Sequence, residues 1–121
     1  MIRNFLFHRV NSNRDPLWDP MSPVLFEKCI RYIKKHYEIR LFEELMNSED
    51  LSKNKNFATI MFDDGYKDNY DIALPILEKY NVKASFYIVT DCIENNVPTW
   101  THKLEYCFQK MKLKEIRLNF E

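Results

Sequence analysis

Phe26, Ile30, Ile33 and Tyr37 fall three or four residues apart, the spacing that gathers side chains on one face of an α-helix. Ser22 followed by Pro23 starts that helix, because serine accepts from the first free amides and proline loses nothing at the first helical position. Ile72, Ala73, Ile76, Leu77 and Tyr80 trace a second helical face, in which Pro75 should kink the helix or confine its regular part to the later turns. Between these stripes, FATIMF (Phe57 to Phe62) is apolar without alternation, as suits a strand covered on both faces in a parallel sheet.

Asn4 to Val10, Glu38 to Phe42 and Val82 to Val89 are further strand candidates, and EIRLNF near the C-terminus is another. Leu41 to Asn47 reads as a short helix and Thr101 to Met111 as an amphipathic one. NRDPLWDPMSP carries Pro16, Pro20 and Pro23 and cannot be regular for long, while the polar stretch from Asn47 to Asn56 reads as a surface loop. Strands interleaved with helices over short connections predict an α/β fold built of right-handed βαβ units, with its ligand beyond the carboxyl ends of the strands.

The chain has 121 residues, enough for one core, with 45% hydrophobic and 15% aromatic residues. Eighteen basic residues balance eighteen acidic ones, so no electrostatic case exists for a nucleic-acid or anionic-membrane partner, and sugar-like ligands remain open. The opening MIRNFLFHRV has too short an apolar run for a signal peptide and no segment is long enough to span a bilayer; the expectation is a cytoplasmic chain. Cys29, Cys92 and Cys107 are odd in number and lack C-x-x-C spacing, which points to buried or incidental thiols rather than disulfides or a zinc-thiolate site.

Asp63 and Asp64 stand directly after the apolar strand and directly before Gly65, the only glycine in the chain. Two acids at a strand end can divide labour, one binding a metal and its neighbour acting as base toward water, since adjacent residues on an extended backbone point to opposite sides. The same residues also read as a turn with a helix-capping acid, and the doublet alone leaves both readings open. An EF-hand fails because Gly65 and Lys67 fall where ligands should be, and a phosphate-cradling loop needs more glycines than this chain owns.

FDDGYKDNYDIALPILEKYNVKASFYIVTD, Phe62 to Asp91, closely resembles the first signature block of the polysaccharide deacetylases, the NodB-homology domain of a carbohydrate esterase family. FLFHRV resembles the opening strand of that family, SPVLFEKCIRYIKKHYEI its first helix and second strand, and VPTWTHKLEY a tryptophan-containing insertion of some members. The resemblance implies the N-terminal portion of a distorted (β/α) barrel and metal-dependent removal of N-acetyl, less often O-acetyl, groups from amino-sugar polymers. It assigns Asp63 as general base and Asp64 as a ligand of a divalent ion, commonly zinc. His8 is a candidate for the pocket wall, and Tyr66 and Trp100 are candidates to stack on a sugar ring.

Two departures stand out. Met61 occupies the place of a usual threonine, and the H-S/T-x-x-H motif that supplies two histidine ligands has no counterpart among His8, His36 and His102. His36 is expected to serve the partial charge of a helix C-terminus and His102 to lie on an exposed helix face. Residues 1 to 121 thus read as an incomplete NodB-homology domain, cut before its histidine motif and inactive as an isolated piece. The alternative is an inactive sugar-binding or scaffold protein of the same fold.

Overall fold

The apolar strand predicted at Phe57 to Phe62 is the centre of the sheet. The computed structural model describes residues 1–15, 17–47 and 55–112, and divides the chain into a unit from Met1 to Ile88 and a second from Val89 onward. In the first unit, β1 (Ile2–Phe7), β2 (Glu38–Ile39), β3 (Phe57–Phe62) and β4 (Ser85–Phe86) form an all-parallel sheet with β3 in the middle. β1 pairs along the whole of β3, from Ile2 opposite Phe57 to Phe7 opposite Phe62. The other edge of β3 is shared: β2 pairs with its start, Phe57 and Ala58, and β4 with its end, Met61 and Phe62.

Three strands are shorter than their sequence runs suggest. β1 stops at Phe7, so His8, Arg9 and Val10 leave the ladder. β2 keeps two residues of the Glu38 to Phe42 run, and β4 two of the Val82 to Val89 run. An apolar run reports burial, whereas a strand also needs a partner. Val82 and Ala84 still pack against the core without belonging to the ladder. The EIRLNF candidate lies outside the described residues, as does most of the polar stretch between Asn47 and Asn56.

α1 (Pro23–His36) begins as predicted, with the Ser22 hydroxyl accepting from the Leu25 amide at 3.3 Å and Pro23 in the first turn. It lays Phe26, Ile30 and Ile33 on the sheet, and Lys34, Lys35 and His36 fill its last turn, where cations offset the helix dipole. α2 (Phe42–Met46) is a short turn at whose start the Glu44 carboxylate accepts from the Leu41 amide at 3.0 Å.

A π-helical turn, Asn69–Ala73, precedes α3 (Leu74–Lys79), and its wider winding receives Pro75 in the first turn of α3. Phe26, Ile30 and Ile33 close the core with Val10, Ala58, Ile60, Phe62, Ala73 and Leu77. The second unit holds α4 (Thr90–Glu94) and α5 (Trp100–Lys110), the latter capped by the Thr99 hydroxyl. No helix among the described residues is long and apolar enough to cross a membrane.

Candidate functional site

Two parallel neighbours in register end at the same level, so whatever follows Phe7 on β1 meets whatever follows Phe62 on β3. The ladder runs one step further, with the Asp63 amide donating to the Phe7 carbonyl at 3.1 Å. Asp64 then takes a φ of +71° and Gly65 a φ of +70°, two successive left-handed residues that turn the backbone off the strand. A side chain at position 65 would meet two obstacles. Besides the φ, an added Cβ would lie 2.8 Å from the Cγ2 of Ile88. Asp64 tolerates the left-handed region better than most residues because its short polar side chain can bond locally.

That turn brings the Asp64 Oδ2 to 3.2 Å from the His8 Nδ1, the two side chains being 28% and 40% exposed. His8, expected near this rim, is therefore on it. Asp63 is half-buried at the same strand end.

Behind the pair lies a clasp that the sequence reading missed. Asp68, buried in the turn after Gly65, accepts from the Val10 amide at 3.4 Å and sits 3.5 Å from the Arg9 Nε. Arg9 also lies 3.7 Å from Asp15 and over the Tyr66 ring, 5.3 Å from its centre. The Asp15 Oδ1 in turn accepts from the amides of Leu17 and Trp18, at 3.0 and 3.3 Å. Arg9 thus ties the loop after β1 to the turn after β3, one residue beyond His8 and five beyond Asp63 and four beyond Asp64 at Asp68.

The loop is closed at its base by the Val10–Met21 bridge, with the Met21 amide donating to the Arg9 carbonyl and the Asn11 amide to the Met21 carbonyl. Trp18 is consequently held beside His8, ring centres 5.4 Å apart, and beside Tyr66, 5.9 Å apart. The signal for Trp18 was a tryptophan in an otherwise polar, proline-punctuated loop. Aspartate ahead of Leu17 and Trp18 was the signal for its turn.

Trp100 stands elsewhere in the chain, as the first residue of α5 in the second unit, with 74% of its surface exposed. His36 ends α1 with its ring 4.3 Å from that of Tyr32. His102 is not on a bare face: it is half-buried and lies 3.0 Å from Glu105 one helical turn on. The i, i+3 spacing with an acid explains the difference.

His8 and Asp64 are two metal donors in reach of each other, and among the described residues no group of three or more histidines, cysteines, aspartates or glutamates could hold an ion. A protein zinc site takes three or four such ligands. The described residues therefore do not make a metal site by themselves.

The sequence profile of the family described as Polysaccharide deacetylase matches residues 50–117. YxkH of Bacillus subtilis (strain 168), named for that family, is 42% identical over 45 residues, covering 37% of this chain and 16% of its own length. The fold is similar to that of a de-N-acetylase from Aggregatibacter actinomycetemcomitans, with a TM-score of 0.64 at 22% identity over 80% of this chain and 40% of the other. It is equally similar to the Streptococcus pyogenes deacetylase PplD, solved in complex with acetate, with a TM-score of 0.64 at 22% identity over 89% of this chain and 52% of that one. The chain spans about half or less of the length of these proteins.

Proposed function

The chain belongs to the polysaccharide deacetylase family, and on that premise we propose that it takes part in the hydrolytic removal of N-acetyl groups from an amino-sugar polymer. The observation that carries the reading is the rim: Asp63 and Asp64 at the carboxyl end of the central parallel strand, with His8, one residue past the end of the neighbouring strand, against Asp64.

In this reading Asp63 is the general base. Its carboxylate takes a proton from a water molecule as the water oxygen bonds to the acetamide carbon. The carbon–nitrogen bond then breaks, the sugar amine leaves with the proton that Asp63 took from the water, and acetic acid is the second product, released as acetate once it ionises. Asp64, held in the left-handed turn against His8, is the carboxylate this chain offers to a divalent ion, zinc by the family resemblance. The remaining ligands would have to come from outside the described residues, and the chain by itself should be inactive.

A second reading, an inactive sugar-binding or scaffold protein, is favoured by the lack of a three-donor cluster among the described residues. Acetate release separates the two. A chimera joining this chain to the remainder of the Streptococcus pyogenes deacetylase should release acetate from N-acetylglucosamine oligomers, whereas the chain alone should release none. A folded chimera that binds the oligomers yet releases no acetate would make the second reading the correct one.

A further inference from the structure

We propose that Trp18 is a stacking platform for a pyranose ring, placed beside the acids of the rim by the Asp15–Arg9–Asp68 clasp. The inference rests on the deacetylase reading and names the residue that holds the sugar there.

Four observations carry it. Trp18 lies in a loop whose neighbours Asn13, Arg14, Leu17 and Asp19 are exposed, yet its backbone is anchored to the core through a relay of three contacts. Its amide is bonded to Asp15, Asp15 is paired with Arg9, and Arg9 with the buried Asp68. The loop is also shut at its base by the Val10–Met21 bridge, which limits the backbone freedom left to be lost when a ligand binds.

The indole remains partly exposed, and among the described residues no aromatic ring lies flat on it: His8 and Tyr66 meet it at 63° and 77°. Lastly, its neighbour His8 is the residue in contact with Asp64, so a ring held on Trp18 has its substituents within reach of the acid pair. A sugar presents a face of C–H groups to such a surface and keeps its hydroxyls in water, the amphipathic contact that tryptophan serves best.

The chain has two tryptophans, and Trp100 lies in the second unit. In the Trp100→Phe chain, emission therefore reports Trp18 alone. Titration with an N-acetylglucosamine oligomer should change that emission saturably. Calorimetry should find the Trp18→Leu chain binding the oligomer about tenfold more weakly, while Trp18→Phe, which keeps an aromatic face, recovers most of the loss. A purely structural tryptophan would instead show losses of affinity that follow each variant's loss of thermal stability, with no separate advantage of the aromatic ring.

Emission that ignores saturating oligomer overturns the inference, as does an affinity unchanged in Trp18→Leu. Either result leaves the deacetylase reading to its own test, acetate release by the chimera.

Discussion

Gly65 is where one residue decides whether the rim forms. Alanine there meets an unfavourable φ of +70° and a contact with Ile88 at 2.8 Å, so Gly65→Ala should lower stability by about 1–3 kcal/mol, measured by urea unfolding of the chain. Asp64→Asn should be nearly neutral, because asparagine also accepts the left-handed region. Equal stability of Gly65→Ala and the parent would mean that the turn is not built as described. The Asp63–Asp64–Gly65 run was legible from sequence because its signal is local: an apolar strand, two acids and the only glycine. Arg9, Asp15, Trp18 and Asp68 were not, since no periodicity links Arg9 to Asp68 across 58 intervening residues. Only the parallel pairing of β1 with β3 makes them neighbours. His8 was placed at the rim through family resemblance, not through any pattern of its own.

At the scale of elements, the helices were read more faithfully than the strands. A helix satisfies its own backbone, so the Ser22-Pro23 start and the Phe26, Ile30, Ile33 stripe suffice to define α1. β2 and β4 depend on how the edge of β3 is divided between them, which no local pattern encodes. Pro75 was expected to kink or shorten its helix. The π turn, in which the Leu74 amide reaches back to the Asn69 carbonyl, is how the chain takes it in. α1 and the end of α3 are joined by Glu27, which accepts from the Lys79 ammonium at 2.7 Å and from the Tyr80 hydroxyl. Those two hydrogen bonds hold the Glu27 carboxyl below its ordinary value. A lowered folded-state pKa contributes stability that is present above the unfolded value and is lost as pH falls through the folded one. Stability of the parent should therefore drop more steeply below about pH 4.5 than that of Glu27→Gln, with urea midpoints across the acid range as the measurement. Parallel curves would remove Glu27 from the account. The carboxylate is partly exposed to solvent, so the difference should be small and should shrink further in high salt.

At the scale of the whole molecule, the four parallel strands leave the outer edge of β1 without a partner among the described residues, and Ile2 and Leu6 on it are exposed. Phe86 and Ile88 expose apolar surface at β4 and just beyond it. An open parallel sheet with apolar edges accords with the 40% and 52% of the related structures that this chain covers, and with a distorted barrel as the fold they share. The α/β class and the parallel sheet could be read from the alternation of strand and helix patterns alone, while the barrel came only with the resemblance. The central claim is a division of labour between the adjacent acids Asp63, at the end of the extended strand, and Asp64, in the left-handed turn against His8. It is tested most directly by measuring zinc content and acetate release together in the chimera with the Streptococcus pyogenes deacetylase. Asp63→Asn should keep its zinc and lose at least about a hundredfold in rate, the scale of a lost general base, whereas Asp64→Ala should lose both zinc and rate. If Asp63→Asn instead lost its zinc while Asp64→Ala kept zinc and rate, the two roles would be assigned the wrong way round; if neither change moved either quantity, the pair would be a turn and a helix cap, not a catalytic rim.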